Sequence, residues 1–425
     1  MHFGIITPPV PGHLLPFGAL GRELTARGHR VTVIHMADIE DRARAEGLEF
    51  IPIGHSDHPR GSLPESLAQL GRLQGLAALR FTIAAVRKTT EMLCRDAPSA
   101  IRTAGIEMLL VDQTEPGGGT IAEHLELPFV TICNALLLNR DSLVPPPFTP
   151  WKPGSRWWQK LRNKTGYAVS ARVTSPVTRL VARYRQLWNL PAHKQPEDSF
   201  SKLAQISQQP AEFDFPRQEV PEQLYYAGPL RDQKAPDVCF PWHKLDGRPL
   251  IYASLGTLQY FKEEVFRCFA QACADLGSVQ LVMAHCGGLS DAAIRSLPGN
   301  PICVEYAPQA ALLKRARLAL THAGLNTVLD ALRFGVPMVA VPITYEQPAI
   351  AARVRWTGAG QSLPLARLTV PRLLATIREV LDNPDYAQQS QRIAAAISRS
   401  GGVNQAANII ETAARVAVPE YQRGS

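Results

Sequence analysis

The stretch THAGLNTVLDAL, from Thr321 to Leu332, joins an apolar run to periodic apolar positions through residues that could bind an anion. Backbone N–H groups at a helix start lack intrahelical partners and gather partial positive charge. Gly324 would let a ligand approach the backbone, Asn326 and Thr327 add short polar groups, and His322 adds a ring nitrogen. A phosphate suits such a turn. An ordinary capped strand-to-helix turn would use the same residue types, since Asn and Thr cap helices and Gly serves turns. The choice between them rests on the elements that position this turn.

Those elements alternate. HFGIITPPV reads as a buried strand, PGHLLPFGALGRELTARGH as a loop and then a helix with Leu20 and Leu24 inward, and RVTVIH as a second strand. GIEMLLVD and LPFVTIC are further apolar runs, separated by the helical TIAEHLE. The pattern restarts with LIYASLG, VQLVMAHCG, ICVEYAP, RLALTH and MVAVP. Alternating strands and helices imply parallel sheets covered on both faces, here in two similar α/β domains facing one another across a cleft. The turn-rich YYAGPLRDQKAPDVCFPWHKLDGRP between them reads as the linker. Ligand sites in such sheets lie beyond the carboxyl ends of the strands, and there the polar segments fall: TPPVPGH, DQTEPGGG, SLGT, HAGLN and ITYEQP.

The 425 residues suit two domains, and 45% apolar with 19% charged residues is a globular composition. With no run of eighteen apolar residues and no signal-like start, the chain is expected to be cytosolic. Seven scattered cysteines without a CxxC pair read as free thiols. The GGG at 117–119 lacks the lysine and spacing of a P-loop, and His285 with Cys286 are too few for a metal site. The net charge of +8 has one main source: between Trp151 and Leu190 stand nine Lys or Arg and no Asp or Glu, interleaved with Trp151, Trp157, Trp158 and Trp188. Peripheral contact with an anionic membrane through residues 151–190 fits this pattern. So does a solvated basic helical face with its tryptophans packed inward. No nucleic-acid motif accompanies the charge, so nucleic acid is not an expected partner.

Over nearly its whole length the chain resembles the inverting GT-B glycosyltransferases that use nucleotide sugars. EYAPQAALL, THAGLNTVLDALRFGVPMVAVP and EQP resemble the donor-binding signature of the UDP-sugar transferases. DQTEPGG, LLLNRD, SKLAQISQQPAEFDFPR, GPLR, ASLGTLQ and MAHCGG are similar to segments of the bacterial zeaxanthin glucosyltransferases within that family. The resemblance implies a GT-B α/β fold of two Rossmann-like parallel-sheet domains. It implies an acceptor-binding domain at 1–230, a linker at 231–248, a nucleotide-sugar domain at 249–402, and a helix or tail at 403–425 packing back on the first domain. It puts uracil beside Tyr306, with the Ala307 backbone and Gln309 nearby. The diphosphate falls to His322 and the N–H groups after Gly324, with Asn326 and Thr327, assisted by Ser254, Gly256 and Thr257. Asp330 would hold ribose hydroxyls, while Glu346 and Gln347 would read the sugar. That pair is usually Asp-Gln, so the acid here is one methylene longer.

Transfer to an alcohol requires the alcohol proton to leave as the new bond forms, which suits a neutral histidine near pH 7. His13, in the loop after the first strand, is the expected base. Asp112, at the end of MLLV on the same sheet edge, would fix its tautomer and stabilise the imidazolium; a surface His and a strand-end Asp are the plainer readings. The expected donor is UDP-glucose, a co-substrate, with no cofactor and no metal, and the expected acceptor is a lipophilic alcohol such as a carotenoid. Rivals are another lipophilic acceptor, a UDP-sugar epimerase and a non-catalytic ligand-binding subunit. The epimerase would not need His13.

Overall fold

The computed structural model describes residues 1–73, 75–232, 238–257 and 262–417. Residues 233–237 of the expected linker and 418–425 of the expected tail lie outside the described residues. Among the described residues thirteen strands form two sheets. The first contains β1 (His2–Ile6), β2 (Arg30–Met36), β3 (Glu49–Ile53), β4 (Met108–Asp112), β5 (Phe129–Cys133), β6 (Gln205–Ser207) and β7 (Leu224–Tyr226), in the order β3-β2-β1-β4-β5-β6-β7. The second contains β8 (Leu250–Ser254), β9 (Gln280–Ala284), β10 (Ile302–Val304), β11 (Ala316–Thr321), β12 (Met338–Ala340) and β13 (Gly360–Ser362), in the order β10-β9-β8-β11-β12-β13. Every pairing is parallel. These are the two Rossmann-like parallel sheets of a GT-B fold.

The central strands are the sequence's continuous apolar runs because helices cover both of their faces. β1, β4 and β8 are buried at every residue. Each sheet reverses its strand order once, between β1 and β4 in the first and between β8 and β11 in the second. At such a switch point the connections diverge to opposite faces and leave a crevice beyond the strand ends. His13 follows β1 and Asp112 ends β4; Ser254 ends β8 and His322 follows β11.

Two details differ from the sequence reading, and a third decides between alternatives that it left open. The turn-rich stretch read as linker from Tyr225 onward begins in β7, a three-residue edge strand paired with β6 and too short to show periodicity. His13 is not in a loop: the helix Pro11–Ala26 starts with Pro at its first position, where the fixed φ favours helix and the missing N–H costs nothing. The tryptophans at the start of the helix Trp157–Leu187 do not pack inward, since Trp157 is 77% and Trp158 44% exposed.

Two further contacts join the halves of the molecule. The helix Gly402–Ala417 buries Val403, Ala406, Ile410 and Ala414 in the core that holds Phe3, Leu14 and Leu20. Phe213, from the segment after β6, is buried in the core of the second sheet. Beside it the Asp214 carboxylate accepts from Arg353 Nη2 at 3.0 Å, Arg217 Nε at 2.7 Å and the Tyr226 hydroxyl at 3.0 Å. The Arg353 guanidinium lies 4.1 Å from the Phe215 ring centroid. The Asp214 and Arg353 side chains are 2% and 1% exposed, so each charge depends on the other.

Removing the acid leaves two buried guanidinium groups uncompensated. Asp214→Ala should therefore cost about 3–5 kcal/mol of unfolding free energy, measured by urea denaturation; a loss below about 1 kcal/mol, the scale of an exposed pair, would show that this junction does not brace the domains.

Candidate functional site

On the first sheet, His13 Nδ1 and Asp112 Oδ2 are 2.8 Å apart. Asp112 is wholly buried and fully engaged: Oδ1 accepts from the Thr114 N–H at 2.9 Å and the Thr114 hydroxyl at 2.7 Å, and Oδ2 also accepts from Asn134 Nδ2 at 2.9 Å. These donors fix the carboxylate so that its remaining strong partner is the imidazole. Burial by itself would lower the His13 pKa, but the Asp112 charge and hydrogen bond outweigh it and raise the value. For Asp112 burial pushes upward, and His13 with the Thr114 donors pulls the value below the ordinary range. Glu115, one turn on, is pushed up to about 8 by burial and by the Asp112 charge.

On the second sheet, the helix Leu325–Arg333 starts directly after the turn, with Gly324 as its cap residue. The left-handed residue of the turn is Ala323, at φ 65°, while Gly324 is extended. Glycine is required at 324 for another reason: a Cβ there would stand 2.4 Å from His322 Nε2. One at Gly256, φ +68°, would stand 2.6 Å from His322 Cε1. The imidazole fills the place where a side chain at either position would stand, and lies between two glycines on facing loops. Burial lowers the His322 pKa to about 4, so the ring is neutral near pH 7. Its Nδ1 is buried with no hydrogen-bond partner among the described residues. Ser254 Oγ accepts from the Gly256 N–H at 3.2 Å.

Asp330, on the same helix, accepts from Gln309 Nε2 at 2.6 Å and Arg231 Nε at 2.8 Å. Gln309 Oε1 in turn accepts from the Tyr252 hydroxyl at 3.2 Å. Tyr306 lies at the rim, 58% exposed, with Ala307 partly buried beside it. Thr257 is partly buried and Thr327 buried. The Gln347 side-chain oxygen accepts from the Ile343 and Thr344 N–H groups and braces its own loop. Glu346 Oε2 accepts from the Leu136 N–H of the first half at 2.9 Å. Burial raises the Glu346 pKa, and its charge acts on His13.

The two edges meet directly. Asn326 Nδ2 donates to the carbonyl of Gly12 at 2.7 Å, one residue before His13. Its Oδ1 accepts from Arg231 Nη2 at 2.8 Å and Gln208 Nε2 at 3.2 Å. The Asn326 side chain, expected among the phosphate donors, is engaged in this junction. Arg231 and Gln208 carried no role in the sequence reading, although GPLR and SQQP contain them; neither residue type reveals by itself that it will reach the other domain. Among the described residues no three His, Cys, Asp or Glu side chains gather as a metal ion would require.

Residues 72–397 match the family of UDP-glucoronosyl and UDP-glucosyl transferases, and residues 11–107 match the glycosyltransferase family 28 N-terminal domain. The chain is 36% identical to a zeaxanthin glucosyltransferase of Pantoea ananas over 96% of this chain and 95% of the relative. It is 34% identical to a zeaxanthin glucosyltransferase of Pseudescherichia vulneris over 97% and 98%. A crystal structure of the calicheamicin glycosyltransferase superposes with a TM-score of 0.76 over 98% of this chain and 99% of that one, at 22% identity.

The dyad is open to a direct test, because removing the Asp112 charge leaves burial as the main influence on His13. In Asp112→Asn the His13 pKa, followed by NMR titration of the ring, should fall from above the ordinary histidine value of 6.5 to below it; an unmoved titration would mean that the carboxylate does not govern the imidazole. Two switch-point edges in hydrogen-bonded contact and a family match over most of the chain lead to one conclusion: the protein is a glycosyltransferase belonging to the UDP-glucoronosyl and UDP-glucosyl transferase family.

Proposed function

We propose that the protein transfers glucose from UDP-glucose to a hydroxyl of a lipophilic acceptor, a carotenoid alcohol such as zeaxanthin, with inversion at the anomeric carbon. The carrying observation is the His13–Asp112 pair, 2.8 Å apart, on the residue next to the Gly12 carbonyl that Asn326 holds. That arrangement supports a base facing the donor turn. The relatives named for zeaxanthin glucosylation support the acceptor.

In this reading the division of labour follows the two sheets, with residues 1–230 binding the acceptor, 249–402 binding the donor, 231–248 linking them and 403–425 closing back on the first. Uracil rests on Tyr306, near the Ala307 backbone and Gln309. Asp330 takes the ribose hydroxyls, its charge balanced by Arg231. The backbone N–H groups from Leu325 to Thr327, with His322, Ser254, Gly256 and Thr257, surround the diphosphate. Glu346 and Gln347 face the sugar.

The acceptor oxygen attacks the anomeric carbon as its proton passes to His13 Nε2, and the bond from that carbon to the diphosphate oxygen breaks. Asp112 stabilises the imidazolium that results. The leaving UDP gains charge as that bond breaks, so donors at a helix start bind it more strongly in the transition state than in the ground state. A neutral His322 donates a hydrogen bond there from its one N–H without adding a cation. This account needs no metal ion. Attack opposite the leaving group turns an α-linked donor into a β-glucoside. We place the reaction on the cytoplasmic side, with residues 151–190 meeting an anionic membrane.

Incubation with UDP-glucose and a panel of hydroxylated acceptors, with products identified by mass, tests the reading. A carotenoid glucoside is expected, and His13→Ala should slow its formation by roughly 10²–10⁴-fold, the usual cost of losing a general base, with UDP binding retained. Because protonated His13 cannot take the proton, the wild-type rate should fall as the pH drops through the raised His13 pKa. Conversion of UDP-sugar to an epimer without acceptor, or full activity of His13→Ala, would overturn it.

A further inference from the structure

The basic segment does not stand alone. Residues 66–90 contain four Lys or Arg and no Asp or Glu. They enter the helix Gly75–Ala104, whose first half exposes Leu76, Leu79 and Val86 beside Arg80, Arg87 and Lys88. The first half of the helix Trp157–Leu187 likewise exposes Trp157, Trp158, Leu161 and Val169, whereas its second half exposes one large apolar residue among those described, Leu187 at its last position. Between that helix and Phe148–Trp151 lies an open apolar groove of about 550 Å³, lined by Trp151, Trp158, Leu161 and Val169. The Arg162 guanidinium rests over the Trp151 ring, 4.7 Å from its centroid.

Topology puts these surfaces on one rim. The first helix connects β3 to β4 and the second connects β5 to β6, all parallel strands, so both run back from the strands' carboxyl ends. They pack together, with the Tyr184 hydroxyl donating to the Glu91 carbonyl at 3.4 Å in their second halves. Their first halves therefore project at the sheet edge that carries His13 and Asp112. Thr82 of the first helix sits beside Tyr345, the neighbour of Glu346.

We infer that the first halves of these two helices form one docking surface for an anionic lipid bilayer, holding the acceptor mouth of the cleft against the membrane. Exposed Trp and Leu among basic residues, on two segments that carry no Asp or Glu, match the headgroup boundary, where aromatic rings and aliphatic tips enter the apolar layer and cations meet lipid phosphates. An acidic protein partner would satisfy the charge but would not call for Trp157 and Leu76 at a solvent-facing rim. The proposal rests on the lipophilic-acceptor reading, because an acceptor nearly insoluble in water has to be collected from a bilayer.

The test uses the full chain with phosphatidylcholine vesicles made with and without phosphatidylglycerol. Binding to the anionic vesicles should exceed binding to the neutral ones and weaken with salt. Charge reversal on the first helix, Arg80→Glu with Arg87→Glu, or on the second and the segment that leads into it, Lys152→Glu with Arg156→Glu and Lys164→Glu, should cut vesicle binding by about tenfold or more. All five side chains are exposed, so the variants should keep the wild-type thermal midpoint. They should transfer glucose normally to a water-soluble alcohol; failure of the wild type in that assay would instead count against the glycosyl-transfer reading. Equal binding to both vesicle types, binding to neither, or an undiminished Arg80/Arg87 variant would overturn the two-helix surface.

Discussion

The hydrogen bond from Asn326 to the carbonyl of Gly12 is the contact on which the arrangement of the site depends. Each sheet provides a crevice at its own switch point, and neither crevice contains all the groups that a transfer between two substrates needs. The distance between His13 and the donor turn is set by whatever holds the two edges together. Asn326 does so from the start of the helix Leu325–Arg333, and Arg231 widens the junction by binding Asn326, Asp330 and Gln208 through one guanidinium group. A planar group with five donors in a fixed fork suits that task; a lysine would offer a single centre. Farther from the crevice, Phe213 and the Asp214–Arg353 pair brace the same two bodies.

Within this frame, burial gives two histidines opposite characters. His322 has no carboxylate beside it, so desolvation prevails and the ring stays neutral well below pH 7. His13, its side chain 20% exposed, also loses hydration, yet Asp112 and Glu346 favour its protonated form. Only one of the two is thus equipped to receive a proton. The same carboxylates account for one another: Asp112 stays ionised because four hydrogen bonds converge on it, while Glu115, buried beside that charge with Oε2 unpartnered among the described residues, is pushed toward its neutral form.

The sequence made the fold legible wherever burial was two-sided, since strands such as β1, β4 and β8 appear as uninterrupted apolar runs. Three-residue strands such as β7 carry no period to read. His13, Asp112, His322 and Asp330 could be singled out because polar groups gather beyond the strands' carboxyl ends, where ligand sites lie, and because the surrounding motifs resemble a known signature. Their contacts were less accessible. Gly324 suggested an approaching ligand or a plain turn, and the structure shows a glycine with no room for a Cβ beside the neighbouring imidazole. Arg231 and Gln208 act across a domain boundary that local patterns do not encode. The sequence left the direction of Trp157 and Trp158 open between a membrane-facing and an inward-packed reading, because tryptophan among basic residues serves either; the structure turns both outward.

The central claim is a single displacement, with His13 taking the acceptor proton while the helix start and its neutral histidine receive the leaving diphosphate. It is tested most directly by the anomeric configuration of the product formed from α-linked UDP-glucose in the presence of a chelator, read from the proton NMR coupling at the anomeric carbon. The account predicts a β-glucoside, formed as fast as without the chelator. An α-glucoside, or transfer abolished by the chelator, would contradict it.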